Sequence, residues 1–200
     1  AAHPLTVHDM LAMDRISDTQ VSPDGQSLAF TLRQTDLEAN RGRTDIWLVG
    51  VDGRNLRRLT SHPAADLNAR WSSCGRCLFF LSGRSGSMQV WKISLDGGEA
   101  EQVTAEPLDV GNLVVARSGE LLAFTMEVFP GSTPAETARK LAAAATQKAT
   151  GQVFDRLFFR HWDTWSDGRR SHLFVLSKTG DSARDLMPAM DADTPSKPFG

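Results

Sequence analysis

Ala69-Arg-Trp-Ser-Ser-Cys-Gly-Arg-Cys-Leu-Phe-Phe-Leu81 decides the fold, because its outline occurs three times. It is preceded by Thr19-Gln-Val-Ser-Pro-Asp-Gly-Gln-Ser-Leu-Ala-Phe-Thr31 and followed by Asn112-Leu-Val-Val-Ala-Arg-Ser-Gly-Glu-Leu-Leu-Ala-Phe-Thr125. Each copy reads as a short strand, a turn ending in Gly and a second apolar strand. A recurring unit of this size is the signature of a repeat architecture, in which each unit buries its faces against its neighbours.

The surroundings repeat in register. Asp45-Ile-Trp-Leu-Val49 answers Gln89-Val-Trp-Lys-Ile93, Asp52-Gly53 answers Asp96-Gly97, and Leu56-Arg-Arg-Leu-Thr60 answers Glu101-Gln-Val-Thr104. Trp47 to Trp91, Gly53 to Gly97 and Thr60 to Thr104 share one offset of 44 residues. In the third copy Phe174 takes the place of Trp91, Gly180 that of Gly97 and Leu186 that of Val103, all at an offset of 83. The third copy therefore carries an insertion of 39 residues.

Pro23-Asp24-Gly25 is a hairpin turn signal, since Pro presets φ and Gly accepts a positive φ. Leu28, Phe30 and Leu32 alternate with Ala29, Thr31 and Arg33, the period of a strand. Thr35 to Arg43 reads as a polar loop. Ile46 to Val49 is apolar on both sides, so both faces of that strand are expected to be covered. Four antiparallel strands per unit predict an all-β fold of β-propeller blades at about residues 19–60, 69–104 and 112–187. Residues 1–18 form an N-terminal helical arm, with Thr6 and Asp9 as a capping-box pair and Leu11 packing inward. Closed propellers use about four to eight blades. A fourth blade would begin near Ser196, so the chain is expected to be the N-terminal part of a longer protein, with an incomplete propeller.

Composition narrows the function. The chain is 40% hydrophobic and 23% charged, with a net charge of −2. No basic excess points to nucleic acid, and no apolar run approaches the roughly 18 residues of a membrane span. Cys74 and Cys77 are the only cysteines. A zinc site needs about four ligands, and a redox pair wants a helix N-terminus. Here the pair spans a hairpin turn, which leaves ordinary thiols or a small disulfide.

The insertion, about residues 128–170, is the one long non-repeating segment. Thr133 as N-cap, Pro134 at N1 and Glu136 at N3 start a helix that runs from Ala135 toward Ala149 and can end at Gly151. Ala138, Leu141, Ala142 and Ala145 form a weak apolar stripe for packing. Then comes Phe154-Asp-Arg-Leu-Phe-Phe-Arg-His-Trp-Asp-Thr-Trp165. Alternation places His161, Asp163 and Trp165 on one side, Arg160 and Trp162 on the other.

No catalytic constellation is visible. The nearest approach to the Gly-x-Ser-x-Gly elbow of a serine hydrolase is Gly83-Arg-Ser-Gly-Ser87, without the final Gly or a following helix. The histidines His3, His8, His62, His161 and His172 lack metal-ligand spacing, and no glycine-rich phosphate loop occurs. Neither a metal nor another cofactor is expected. His161 beside Asp163 reads either as an acid/base pair or as packing.

The Ser-Pro-Asp-Gly turn resembles the repeats of two groups, the propeller subunit of the bacterial Tol system and the prolyl oligopeptidase family of serine peptidases. The order Leu5-Thr-Val-His-Asp-Met-Leu11, Gln20-Val-Ser-Pro-Asp-Gly25, Asp45-Ile-Trp47 and Leu56-Arg-Arg-Leu-Thr60 looks like the second. Arg160-His-Trp-Asp-Thr-Trp165, followed by Asp167-Gly-Arg-Arg-Ser-His-Leu-Phe174, is similar to its dipeptidyl-peptidase and acylaminoacyl-peptidase branch. That resemblance implies a propeller of about seven blades that caps a C-terminal α/β-hydrolase domain and restricts access to short peptides. The Ser, Asp and His of the triad would lie on that domain, so no catalytic residue is assigned here. The chain departs from the repeat at Ser73-Cys-Gly75 and Arg117-Ser-Gly119.

Glu127, Arg160, His161, Trp162, Asp163 and Trp165 are the candidates for contact with substrate, with Glu127 or Asp163 holding a peptide ammonium. The implied partners are a peptide and the hydrolase domain of the same parent chain; homo-oligomerisation stays open. The implied compartment is periplasmic or secreted, with the cytoplasm as the other option. The alternative function is a non-enzymatic propeller that binds protein partners.

Overall fold

The structure, a computed structural model, describes residues 3–149, 151–154, 157, 159–177 and 182–196, without the side chain of His161. Gly180, used above as a repeat anchor, lies outside them.

Helix α1 (Val7–Ala12) starts at Thr6 with both halves of the capping box formed, and Leu11 is half-buried. Blade one follows as β1 (Arg15–Val21), β2 (Ser27–Asp36), β3 (Arg41–Gly50) and β4 (Arg57–Arg58). Blade two is β5 (Asp66–Trp71), β6 (Cys77–Ser82), β7 (Gln89–Ser94) and β8 (Glu101–Gln102). Blade three opens with β9 (Gly111–Val115) and β10 (Leu121–Val128). It is interrupted by helix α2 (Pro134–Ala145) and the short strands β11 (Arg160–His161) and β12 (Thr164–Trp165), and it closes with β13 (Arg170–Ser177) and β14 (Arg184–Asp185). Each blade is a four-stranded sheet in which neighbouring strands are antiparallel.

The repeat register read from sequence is the register of the sheets. Phe30 pairs with Trp47, Phe80 with Trp91 and Phe124 with Phe174. Leu59 N donates to Ile46 O, Val103 N to Val90 O and Leu186 N to Leu173 O, at 2.8, 2.8 and 2.9 Å. The turns repeat as well. Gly25, Gly75 and Gly119 adopt φ of +71°, +68° and +76°, a region that only Gly enters without cost. Their N–H groups return to Ser22, Ser72 and Ala116 carbonyls.

Cys74 lies in this turn in blade two, and Cys77 follows it. In blade one the Asp24 carboxylate accepts from Ser22 Oγ at 2.5 Å and Gln26 N at 3.0 Å. In blade two Cys74 occupies the same place, its Sγ 3.4 Å from Ser72 Oγ. Both cysteines are free thiols. The Ser72 hydroxyl, then the Arg76 backbone N–H, pull the Cys74 thiol down to about 7.

Two apolar clusters join the blades. Ala29, Ile46 and Leu48 of blade one meet Ala69, Leu78, Phe80 and Ile93 of blade two. Leu81 and Val90 of blade two meet Leu113, Phe124, Met126 and Phe174 of blade three. The middle strands thus bury residues on both faces, and each large side chain so buried contributes ~1.5–3 kcal/mol.

The segment Thr35 to Arg43 is mostly strand, because β2 and β3 stay paired out to Asp36 and Arg41, leaving a turn at 37–40. Polar composition misled here, since a hairpin end in solvent needs no apolar residues. Inner strands start earlier than read, at Arg15, Asp66 and Gly111. Helix α2 stops at Ala145, where Thr146 bonds back to Ala143 O. Of its stripe, Ala138 and Leu141 are half-buried but Ala142 and Ala145 are exposed. Thr137 is the buried residue, its hydroxyl accepting from Phe129 N at 3.2 Å.

Candidate functional site

Connections between the second and third strand of a blade leave from the same end as the linkers between blades, so the insertion rises from that end. Its base is a cleft of about 450 Å³ whose lining includes Met88, Asp109, Gly111, Glu127, Ser171 and Pro195. Glu127 stands on β10 opposite Ser171. Its side chain is 44% exposed, and Oε2 is 3.6 Å from Arg169 Nη2, whose Nε also binds Asp167 at 2.7 Å.

The remaining candidates form a hairpin. Arg160 pairs with Trp165 and His161 with Thr164; the His161 side chain lies outside the described residues. This overturns the alternating arrangement. Trp162 adopts a φ of +52° in the turn, so the chain reverses between Arg160 and Trp165 and brings them onto one side. The Arg160 guanidinium lies 5.2 Å from the Trp165 ring centre, and its Nε donates to Trp162 O at 2.7 Å. Trp165 stacks on Phe154 and Phe159 at 5.5 and 5.9 Å. Trp162 is 85% exposed. Asp163 is exposed and accepts from the Thr164 hydroxyl at 3.4 Å. The structure therefore gathers Arg160, Trp162 and Trp165 into an aromatic, cationic tip, while Glu127 lines the cleft.

Behind β10, His172 is wholly buried with Nδ1 2.9 Å from Asp185 Oδ2 and Nε2 2.9 Å from Met190 O. A carbonyl can only accept, so Nε2 carries a hydrogen. Ser171 adds bonds to Asp193 and Thr194, and Arg170 binds Asp191 at 2.6 Å. These ties hold residues 187–195 along the cleft. Among the described residues no cluster of His, Cys, Asp and Glu could hold a metal ion, and no helix is long and apolar enough to cross a membrane.

Sequence reading missed the polar line that joins the inner strands. Asp18, Asn68 and Asn112 occupy equivalent bulge positions with φ of +48°, +57° and +49°, a conformation that Asp and Asn tolerate. Asn68 Nδ2 donates to Asp18 Oδ2 at 3.2 Å and its Oδ1 accepts from Leu113 N at 2.7 Å, so one side chain spans three blades. Arg70 Nη1 reaches both Asp18 oxygens at 2.9 and 2.8 Å. Burial raises the Asp18 pKa, but the bonds from Arg70, Asn68 and Gln20 outweigh it, and the carboxyl sits below its ordinary value. The available signal was an Asp or Asn four residues before each turn residue Ser22, Ser72 and Ala116.

Comparison with known proteins agrees with this architecture. Residues 16–129 match the family model described as the TolB beta propeller domain. Dipeptidyl-peptidase 5 of Porphyromonas endodontalis is 26% identical over 197 residues, covering 97% of this chain and 28% of that protein. The chain thus spans little more than a quarter of the relative it matches. Among solved structures, the acylaminoacyl peptidase of Pyrococcus horikoshii superposes with a TM-score of 0.62 at 15% identity, over 87% of this chain and 25% of that one. The putative TolB of Agrobacterium tumefaciens superposes at 0.54 with 19% identity, over 88% and 54%. Low identity in these two shows the fold alone. Sheets of four antiparallel strands, the shared turn register and the matched span together place this chain in the TolB beta propeller domain family.

Proposed function

We propose that this chain is the propeller part of a serine peptidase that cleaves short peptides, of the dipeptidyl or acylaminoacyl type, and that it gates access to a catalytic α/β-hydrolase domain elsewhere in the parent chain. The observation that carries this reading is the alignment of 97% of the chain with 28% of a dipeptidyl-peptidase. It leaves ample length in such a parent for a catalytic domain. The propeller would supply no nucleophile and no base. Its work is exclusion, by blades that large substrates cannot pass, and positioning, by the insertion.

In this reading the hairpin tip docks against the hydrolase domain or the substrate. Arg160 and Trp165 are already stacked, so little side-chain entropy is lost on contact, and a guanidinium on an aromatic face suits a peptide terminus or carbonyl. Glu127 is the group for a peptide ammonium: it is half-exposed in the cleft, and the ammonium would compete with Arg169, 3.6 Å away, for its carboxylate. A periplasmic or secreted location belongs to the same proposal and is checked by cell fractionation.

The test uses the full-length parent protein. It is expected to hydrolyse dipeptidyl or acyl-aminoacyl substrates and to be inactivated by a serine-directed phosphonate, whereas the 200-residue chain alone does neither. Asp163→Asn and Trp162→Ala in the full-length protein are expected to lower kcat/KM roughly tenfold, the loss of one well-placed contact. Unchanged kcat/KM and unchanged Tm would remove the hairpin from both substrate and fold. A full-length protein with no amidase activity that pulls down a protein partner would instead favour a non-enzymatic propeller.

A further inference from the structure

Blade one carries a polar cluster that none of the contacts above uses. Thr31 and Arg33 are two apart on β2 and so share a face. Ser17 stands opposite Thr31, and Thr44 opposite Arg33. Three hydroxyls and one guanidinium therefore occupy one patch, near the end from which the insertion rises. They line a groove of about 540 Å³ whose other wall is apolar, with Leu67, Leu81, Met88 and Val110. That volume is within the range of small-ligand sites.

Three observations give the patch its chemistry. Thr31 is 4% exposed, yet its Oγ1 has no hydrogen-bond partner among the described residues. A buried hydroxyl without a partner costs free energy, so its retention in a groove wall marks a contact made by something else. Arg33 has no carboxylate partner among the described residues, and Arg15 is its direct cross-strand neighbour. Two like charges facing each other across a strand pair are destabilising unless an anion lies between them. Finally, the Arg33 guanidinium lies over the Cα of Gly42, where any Cβ would collide with it. Gly42 is the cradle that holds the fork against the sheet. The one acid in the groove, Asp18, is already neutralised by Arg70 at 2.8 Å.

We propose that Arg33, with the hydroxyls of Ser17, Thr31 and Thr44, is a carboxylate-binding site for a short peptide whose adjoining apolar side chain lies against Leu67, Leu81, Met88 and Val110. A carboxylate is the anion whose two oxygens match the guanidinium fork while leaving lone pairs for hydroxyl donors. The peptide as ligand rests on the peptidase reading; the anion chemistry rests on the patch itself. The carboxylate is either the free C-terminus of the peptide or an acidic side chain.

The experiment titrates the full-length protein calorimetrically with trialanine made of N-methyl residues, which resists hydrolysis. It is used as the free acid, as the C-terminal amide, and as an amide carrying one Asp. The free acid is expected to bind about tenfold more tightly than the amide, the scale of one charge-assisted fork. Arg33→Gln and Gly42→Ala are expected to abolish that preference without changing amide binding or Tm, and Arg33→Lys to keep part of it. Preference for the Asp amide, lost in Arg33→Gln, assigns the same site to an acidic side chain. Equal binding of all three peptides, or a preference that survives Arg33→Gln, overturns the proposal. A protein that cleaves no peptide but keeps the Arg33-dependent preference removes the peptidase reading and leaves the site standing.

Discussion

Single residues at bulges add hydrogen-bonded bridges between the blades of this protein. Asn68 reaches blade one through its amide and blade three through its carbonyl, and Asp18 gathers Arg70, Asn68 and Gln20. Because these bonds favour the ionised carboxylate, the folded pKa of Asp18 lies below its ordinary value of 3.8. A depressed carboxyl pKa contributes stability that is present above the unfolded value and is lost as pH falls through the folded one. Tm is therefore expected to fall below about pH 4 more steeply in the native protein than in Asp18→Asn. Parallel Tm profiles from pH 6 to pH 3 would show that Asp18 does not couple the blades.

At the scale of the element, each hairpin turn rests on the turn of the next blade. A Cβ on Gly75 would sit 3.6 Å from Pro23 Cδ, ordinary contact, but one on Gly119 would collide with Ser73 Oγ. Gly53 adopts a φ of +79° with open space around it. Gly53→Ala therefore tests backbone strain alone, about 1 kcal/mol. Gly119→Ala is expected to cost more, and Ser73→Ala in the same chain to recover part of the excess, since the Ser73 Cβ stays 3.1 Å away. Urea unfolding of the three variants checks this; equal losses for Gly53→Ala and Gly119→Ala would mean that the turns do not pack on one another. The same element scale explains which strands were legible. Turn glycines and the Trp47, Trp91 and Phe174 positions are set by local geometry, so they show in the order of residues. The ends of β2 and β3 are not, since main-chain pairing alone extends them.

Across the whole molecule, stability comes from faces shared between blades rather than from any blade alone. Phe80 is wholly buried between blades one and two, and the Arg84 guanidinium, bound to Asp66 at 2.8 Å, lies 5.2 Å from its ring centre. Phe80→Ala is expected to lower stability by about 3–5 kcal/mol, since the cavity cannot close between two sheets. A loss under about 1 kcal/mol in urea titration would place the coupling of the blades elsewhere.

Residue order was enough for the repeat, its register and the start of α2, because a turn glycine, a capping box and a period of two are short-range physical requirements. The resemblance carried by the Arg160 to Trp165 segment is what the proposed peptidase role builds on. Residue order did not reveal that Trp162 turns the chain back, so that Arg160 lies over Trp165, because alternation assumes an unbroken strand. Nor did it reveal the Asp18–Asn68 bridge or the Arg33 patch. The recurring Asp or Asn marks the bulges in the sequence, but which groups meet across blades is a matter of long-range packing that this local pattern does not encode.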